Sequence, residues 1–467
     1  MLFNSFNFII LLTITFVLFY LPILYKYQTK ILIFSSLTFY AFNNLNLLIL
    51  LLTSVFINAI TSYYIINGKK KNQKITASIG VISNLSILAF FKYSSLIAIT
   101  FLPKSNSIGE FLINIPLPVG ISFFTFQGIS LVIDVYRNKE NKSVNNVLVP
   151  KKYSSHFEKT LFFITFFPQL VAGPIVKAHD FLPQIHLKTF KNINWELCVK
   201  NLILGYFLKV VIADNLKEFT FWIEYPYFEG QASVTLIIML LGYSAQIFAD
   251  FPGYSLIAIG LGYLFGYTFM DNFNFPYISS SFKEFWKRWH ISLSSFLMEY
   301  LYIPLGGNKN GKLKMYRNLM ITMFLGGLWH GAAWSYAIWG IYHGLLLILE
   351  RLINEKLPKS KFEFIILKRI FIFTCITLGW LLFKLPNFAD VIKYLNCIYT
   401  NIDVHLNWQI CINTIIYASP IYIYHLVHLN KYARAYAQKV EPILYGILLF
   451  LIFTNSGISG SFIYFQF

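Results

Sequence analysis

Three histidines stand in surroundings where an ionisable side chain is unusual. His330 lies in the stretch LGGLWHGAAW, and His343 follows thirteen residues later in IWGIYHGLL. His290 lies in a segment rich in aromatic and basic residues. An imidazole shielded from water is held neutral, so it can accept a proton and act as a general base. The alternative is a structural histidine that donates to a backbone carbonyl, and spacing alone leaves both interpretations open.

His330 is the strongest candidate of the three. Gly326, Gly327 and Gly331 surround it, and small residues allow a neighbouring helix or a substrate to approach closely. His343 is a weaker candidate, and the other six of the nine histidines are expected to be structural or interfacial. The spacing of the three histidines matches no known metal motif, so no metal site is predicted. The sequence also contains no phosphate-binding glycine loop, no G-x-S-x-G elbow and no HExxH pair.

The composition indicates which elements must position these histidines. Of the 467 residues 57% are hydrophobic and only 12% are charged, about half the charged share of a soluble domain. The mean hydropathy of +0.59 excludes a water-soluble globule and a disordered chain. We therefore predict an all-α integral membrane protein, folded as one polytopic domain over residues 1–467.

Hydrophobic runs separated by short polar breaks predict about 11 transmembrane helices, at roughly 20 residues for each span. The runs at 231–265 and 319–350 are each long enough to hold two helices. All of the runs fall at 5–25, 31–43, 45–66, 75–101, 115–134, 159–176, 199–213, 231–265, 319–350, 362–383, 410–429 and 443–462.

The distribution of charge predicts the orientation of the chain. It carries 38 Lys and Arg against 20 Asp and Glu, a net charge of +18. No basic stretch lies outside the hydrophobic framework, so nucleic acid is excluded as a partner. Basic residues follow the first, third and fifth runs, and the connections between these are weakly charged. Because cytoplasmic loops collect Lys and Arg, this alternation places Met1 outside.

Two segments break the pattern of simple spans with helix-breaking or polar residues. The segment 166–184 contains Pro168, Gln169, Gly173 and Pro174, and the segment 117–137 contains Gln127. Irregular backbone at membrane depth must find protein or water partners. One interpretation is a re-entrant segment that lines a cavity, and the other is a kinked span or an interfacial hairpin.

The segment 281–307, SFKEFWKRWHISLSSFLMEYLYIPLGG, is amphipathic. Its apolar residues recur every three or four positions, which predicts one helix at the membrane interface with His290 inside it. Across 281–317 there are seven Lys or Arg and two Glu, a local net charge of +5. This region is either a cytoplasmic site for an anionic ligand or an ordinary basic loop.

These stretches together resemble the membrane-bound O-acyltransferase family, in particular its bacterial alginate and peptidoglycan O-acetyltransferase branch. The resemblance covers the chain from about residue 80 to the last residue. The stretches that carry it are LPVGISFFTFQGISLVIDVYR, FFPQLVAGPI, SFKEFWKRWHISLSSFL, YLYIPLGGNKNG, LGGLWHGAAWSYAIWGIYHG and the terminal FIYFQF. One departure is Met298–Glu299, where the family usually has an Arg-Asp pair.

The resemblance implies a function and a set of roles. The family's catalytic histidine falls on His330, and a second histidine, expected to face the reaction tunnel, falls on His290. The fold implied is a ring of tilted helices around a central tunnel, with re-entrant and interfacial helices. The residues expected to bind CoA are Lys283, Trp286, Lys287, Arg288, Trp289 and Arg317. Those expected to line the tunnel or a re-entrant segment are Gln127, Pro168, Gln169, Gly173, Pro174, Trp329 and His343.

The implied reaction moves an acetyl group from cytoplasmic acetyl-CoA across the bacterial inner membrane. A partner protein outside the cytoplasm then places it on cell-wall peptidoglycan. Acetyl-CoA is a substrate, and no bound cofactor is expected. Alginate or another exported polysaccharide is an alternative acceptor, and D-alanyl transfer to teichoic acid is an alternative reaction. A multi-span transporter is the alternative from a different class, but the sequence has no inverted repeat of the kind many transporters contain.

Overall fold

The computed structural model describes residues 1–42, 44–103, 106–140, 149–356, 364–458, 460 and 462. Within these ranges the regular structure is entirely helical. The contacts divide the chain into two compact units, one of residues 1–199 and 257–270 and the other of residues 200–256 and 271–467. The predicted all-helical fold is confirmed, and the prediction of a single domain stays a prediction.

In the part of the chain that the structure describes, the first unit contains nine α-helices of its own. They are α1 (Phe6–Tyr20), α2 (Gln28–Ala41), α3 (Leu45–Asn67), α4 (Gln73–Phe101), α5 (Ser107–Ile113), α6 (Ile121–Glu140), α7 (Tyr153–Thr165), α8 (Phe167–Leu170) and α9 (Ala178–Phe181). Two helices contribute residues to both units, α10 (Trp195–Tyr206) and α12 (Ser233–Leu264).

The second unit holds the three candidate histidines. Its helices are α11 (Asp214–Thr220), α13 (Phe282–Arg288), α14 (Ile291–Leu297), α15 (Lys312–His330), α16 (Trp334–Lys356), α17 (Ile365–Gly379), α18 (Leu381–Lys384), α19 (Phe388–Thr400), α20 (Trp408–Leu429), α21 (Lys431–Lys439) and α22 (Glu441–Thr454). Two π-helical segments, Phe207–Ala213 and Met298–Tyr302, continue α10 and α14.

The number of helices able to cross a membrane is smaller than predicted. Among the described residues six helices are long and apolar enough, and two bent pairs raise the number to eight at most. The predicted count of about 11 spans is therefore not confirmed. The six segments are Leu45–Asn67, Lys70–Phe101, Ser233–Leu264, Trp334–Glu355, Ile365–Lys384 and Trp408–Leu429.

The hydrophobic runs correspond to helices in different ways. The run 231–265 forms the single long helix α12, whereas 319–350 divides at Gly331 into parts of α15 and α16. The run 159–176 is helical only in part, because α7 ends at Thr165 and the chain is irregular from Val171 to Lys177. Residues 171–177 are buried throughout, and they have the irregular backbone expected from the prolines and glycine of 166–184.

Glycines bring α15 and α16 into backbone contact. A Cβ on Gly327 would lie 2.3 Å from the carbonyl oxygen of Tyr336, and one on Gly340 would lie 2.3 Å from that of Met323. No side chain fits in either space, so the two helices approach as closely as their backbones allow. Small residues are the usual means of such close packing in membranes. This contact fixes the end of α15, where His330 lies, against α16.

Replacing Gly340 with alanine should lower the stability of the protein. The new methyl group would force the two helices apart, and overpacking of this kind costs roughly 1–3 kcal/mol. Thermal unfolding of the detergent-solubilised protein should show a lower midpoint. Gly446→Ala is the matched control, because Gly446 lies within α22 and, among the described residues beyond the neighbouring backbone of that helix, no atom lies within 4 Å of its Cβ position. An unchanged midpoint for Gly340→Ala would contradict the backbone contact.

Candidate active site

His330 is the last residue of α15, and the extended residue Gly331 ends the helix. Its side chain is only 2% exposed. Two rings from other helices lie against it, at centroid distances of 5.1 Å for Trp339 and 5.3 Å for Phe383. The side chain that the sequence marked as the best candidate is therefore enclosed in an aromatic pocket.

His290 lies at a break in the chain. The predicted single helix across this segment is wrong, because α13 ends at Arg288 and α14 begins at Ile291. His290 has φ 43° and ψ 55°, in the left-handed region that a residue with a side chain rarely adopts. The apolar periodicity continues across the break, so the sequence pattern did not reveal it.

Asn272 holds the chain in place beyond this break. Its backbone carbonyl accepts from the N–H of Ile291 at 2.9 Å. Its side-chain oxygen accepts from both the N–H and the hydroxyl of Ser292, at 3.2 and 2.8 Å. Strained residues persist only where the surroundings over-determine them, and they concentrate at functional sites. Asn272 could not be predicted as a site residue, because nothing in its local sequence indicates this role.

The break brings His290 next to His330. Their ring centroids are 6.1 Å apart, and Trp329 contacts both rings, at 5.5 Å from His290 and 5.2 Å from His330. His290 has no exposed surface. Two histidines 40 residues apart in the sequence thus share one buried space with the indole of Trp329.

The electrostatic surroundings of the two histidines differ. Burial lowers the pKa of His290 well below its usual range, so this imidazole is neutral at pH 7. His330 lies at the C-terminus of a helix of 19 residues, where the negative end of the helix dipole favours a positive charge. A base at this position would be stabilised after it accepts a proton. His290 is suited to donate a hydrogen bond as a neutral ring.

His343 packs against Trp339, the indole that also contacts His330. Its ring centroid is 4.6 Å from Trp339 and 5.2 Å from Trp286, and the side chain is 1% exposed. Neither ring nitrogen has a hydrogen-bond partner among the residues that the structure describes. His343 therefore belongs to the same aromatic cluster and shares the indole of Trp339 with His330.

The basic residues near the site fall into two groups. Lys283 and Lys287 are exposed on α13. Arg288, in contrast, forms an ion pair with Glu284 at 2.9 Å and donates to the carbonyl of Asn274 at 3.0 Å. The two lysines are therefore the cations of this helix that are most accessible to an anionic ligand.

The other residues predicted to bind CoA have different surroundings. The guanidinium of Arg317 donates to the side-chain oxygen of Asn318 at 3.0 and 3.3 Å. Trp289 is 1% exposed and packs against Trp380 at 4.9 Å, so it is a core residue. Trp286 is half-buried beside Trp339, at 5.7 Å. Direct contact of any of these with CoA stays a prediction.

The predicted re-entrant residues belong to the first unit. All of them are buried, and Gln169 donates to the carbonyl of Phe163 at 2.7 Å while its own carbonyl oxygen has no partner among the described residues. That they line a tunnel stays a prediction. The residues concerned are Gln127, Pro168, Gln169, Gly173 and Pro174.

Further aromatic residues complete the surroundings of the histidines. Phe251 lies edge-on to His290 at 4.6 Å, and Phe273 is stacked on it at 6.4 Å. Phe462 packs on Phe251 at 5.8 Å and is fully buried. The remainder of the terminal FIYFQF stretch lies outside the described residues. Sequence reasoning missed Phe251, Phe273 and Phe383, because single phenylalanines carry no signal in a chain with 48 of them.

Comparison with known proteins assigns this chain to a family. The model of the membrane-bound O-acyltransferase family matches residues 3–385. The chain is 36% identical to the peptidoglycan O-acetyltransferase of Helicobacter pylori over 426 residues, which cover 84% of this chain and 80% of the relative. It is 39% identical to the probable alginate O-acetylase of Azotobacter vinelandii, over 66% of this chain and 60% of the relative.

The similarity extends more weakly to another activity. The chain is 29% identical to the teichoic acid D-alanyltransferase of Bacillus subtilis, over 49% of this chain and 58% of that protein. The family match covers the segments that hold His290, His330 and Phe383. The chain is thus a multi-pass membrane protein with the activity class of an O-acyltransferase, and it belongs to the membrane-bound O-acyltransferase family.

Proposed function

We propose that this protein transfers an acetyl group from cytoplasmic acetyl-CoA through the bacterial inner membrane for O-acetylation of cell-wall peptidoglycan. The terminal acceptor would be reached through a partner protein outside the cytoplasm, and Met1 would lie on that outer side. The observation that supports this best is the buried pair of His290 and His330, with ring centroids 6.1 Å apart.

The reaction would begin at His330. The neutral imidazole takes the proton of the acceptor hydroxyl while the hydroxyl oxygen attacks the carbonyl carbon of the thioester. The tetrahedral intermediate then collapses, the carbon–sulfur bond breaks, and the imidazolium of His330 returns the proton to the CoA thiolate. The helix C-terminus beneath His330 would stabilise the imidazolium between these two steps.

His290 would stabilise the oxyanion of the tetrahedral intermediate. A hydrogen-bond donor aimed at the developing charge is worth most where water is excluded and the donor is fixed in advance. His290 meets both conditions, since it is fully buried and Asn272 fixes the backbone that follows it. Its N–H would point at the carbonyl oxygen, on the opposite side of the reacting carbon from the acceptor hydroxyl.

The similarity to the Helicobacter pylori enzyme supports peptidoglycan as the acceptor. That alignment covers 84% of this chain, against 66% for the alginate protein of Azotobacter vinelandii. The composition agrees, because Asn, Lys, Ile and Phe are abundant, as in proteins from A+T-rich genomes. Alginate or another exported polysaccharide is the competing acceptor.

Base-labile acetate on purified peptidoglycan tests the proposal. Cells with the wild-type protein should carry this acetate, and cells with His330→Ala should lack it. Acetate that is equal in the two strains would refute peptidoglycan as the acceptor. The secreted polysaccharide of the same cells should then be analysed, and acetate that depends on His330 there would identify the competing acceptor.

Reversing the charge of the two exposed lysines of α13 should weaken donor binding. Lys283→Glu and Lys287→Glu would repel the phosphates of CoA, and an exposed charge pair is worth up to about 1 kcal/mol, or about fivefold in affinity for each lysine. The KM for acetyl-CoA should rise in membrane preparations while kcat changes little. High salt should reduce the difference from the wild type.

Lys439→Glu serves as the control for this experiment. Lys439 is equally exposed but lies on α21, outside the aromatic cluster. If both α13 variants keep the wild-type KM, the basic cluster of this segment has no role in donor binding. It would then be an ordinary cytoplasmic loop.

A further inference from the structure

The aromatic rings around His330 form a closed wall on one side. Trp339 and Phe383 both contact His330, and their own centroids are 5.7 Å apart. Trp380 packs behind them, 5.9 Å from Trp339 and 5.7 Å from Phe383. These three rings are each no more than 2% exposed. The wall therefore has a second layer and is part of the packed core.

We propose that Phe383, together with Trp339, restricts the transferred acyl group to very short chains. This inference rests on the proposed function, since it assumes that the thioester reacts beside His330. It assigns a specificity-determining role to a residue that lies 53 positions beyond His330. The donor class it selects is an acyl-CoA with an acetyl or similarly small group.

The geometry of the reaction directs the acyl chain towards these rings. A thioester carbonyl carbon has three substituents in one plane, and His290 would bind the oxygen while the sulfur leads back to CoA. The third substituent, the acyl chain, points away from both. His290 itself is surrounded by Phe251 and Phe273, whereas His330 is surrounded by Trp339 and Phe383. A chain directed away from His290 thus meets Phe383 or Trp339.

The packing gives little room for a longer chain. Phe383 is held from a further side by Tyr336, at 5.0 Å, and Tyr336 in turn fills the space over Gly331, whose Cβ position would lie 2.3 Å from its ring. Displacing Phe383 would therefore disturb the turn that carries His330. Each extra methylene in such a pocket changes discrimination by roughly 10- to 200-fold. We therefore expect a methyl group to fit without displacing Phe383, and a four-carbon chain to displace it.

Acyl-CoA donors of increasing length test the proposal. Washed membranes would receive radiolabelled acetyl-, butyryl- or hexanoyl-CoA, and the base-labile label in the macromolecular fraction would be measured. The wild type should prefer acetyl over butyryl by about 100-fold or more, because butyryl has two extra methylenes and each changes discrimination by at least about tenfold. Phe383→Ala should lower this ratio at least tenfold, because the apolar cavity it leaves can take up a small apolar group.

Phe228→Ala is the matched control. Phe228 is fully buried in the same unit, packs on Tyr394 at 5.2 Å and belongs to a different part of the core. Its removal creates a similar cavity away from His330, so the donor ratio should stay at the wild-type value. Should Phe383→Ala fail to accumulate, Phe383→Leu removes less volume and should still shift the ratio towards butyryl.

The outcomes separate this inference from the proposed function. Acetyl transfer with an unchanged donor ratio in both Phe383 variants would overturn the inference alone. Equal use of hexanoyl and acetyl groups by the wild type would also overturn it. A wild type that transfers no acyl group from any donor would refute the proposed function, and the inference would fail with it.

Discussion

Replacing His330 with alanine is expected to lower acyl transfer by about 10²- to 10⁴-fold, the range contributed by a general base. Without the imidazole, no group at the end of α15 can take the proton of the acceptor hydroxyl. The protein should still insert into the membrane, because His330 contributes one ring to a pocket that four other aromatic or imidazole rings also line. Turnover with saturating acetyl-CoA is the measurement, with the amount of protein determined in the same membranes.

A second buried histidine provides the control. His425 is 2% exposed, lies 4.6 Å from Phe248, and its Nδ1 donates to the carbonyl of Ile421 at 2.8 Å. This is the structural arrangement that the sequence left open as the alternative for His290, His330 and His343. His425→Ala should keep turnover near the wild-type rate. Turnover by His330→Ala within tenfold of the wild type would rule out its role as the base.

His290 should be tested with two substitutions that separate chemistry from backbone strain. His290→Gly removes the imidazole and relieves the left-handed conformation, whereas His290→Ala removes the imidazole and keeps a strain of about 1–2 kcal/mol. Both variants should lose about 10²- to 10³-fold in kcat, the usual effect of removing one oxyanion donor. KM should change little, because the oxyanion forms only in the transition state.

Stability should distinguish the two variants where turnover does not. The thermal midpoint of His290→Ala should fall below that of His290→Gly. His290→Asn restores a hydrogen-bond donor in a residue type that tolerates this conformation, so it should recover part of the lost turnover. If His290→Gly retains the wild-type kcat, the histidine has only a structural role.

The candidate histidines could be named from the sequence, whereas their arrangement could not, and their roles stay predictions. His330 was found because an ionisable residue among glycines is rare in an apolar run, and the same glycines pack α15 on α16. Its distance from His290 depends on the break between α13 and α14. That break occurs at a residue type with no special tendency to end a helix, within an apolar period that continues from Trp289 to Leu293.

The number of membrane spans shows a second limit of predicting structure from the sequence. Hydropathy detects burial in protein as readily as burial in lipid, so the run 159–176 was included among the candidate spans although residues 171–177 are buried and irregular. The ion pair of Arg288 could have been anticipated, since Glu284 lies four residues earlier on the same helix. The wall formed by Phe383 could not, because it depends on tertiary packing alone.

The backbone contact between α15 and α16 also affects how the site opens. Helices whose backbones touch at Gly327 and Gly340 cannot slide or separate without losing that contact, so their amides should exchange with deuterium slowly and together. The stretch from Asp271 to Ser281 contains a single short helical turn, Pro276–Ile278, and its amides should exchange sooner. Breathing that admits a substrate would then occur on the His290 side of the pocket, while His330, the proposed base, stays fixed.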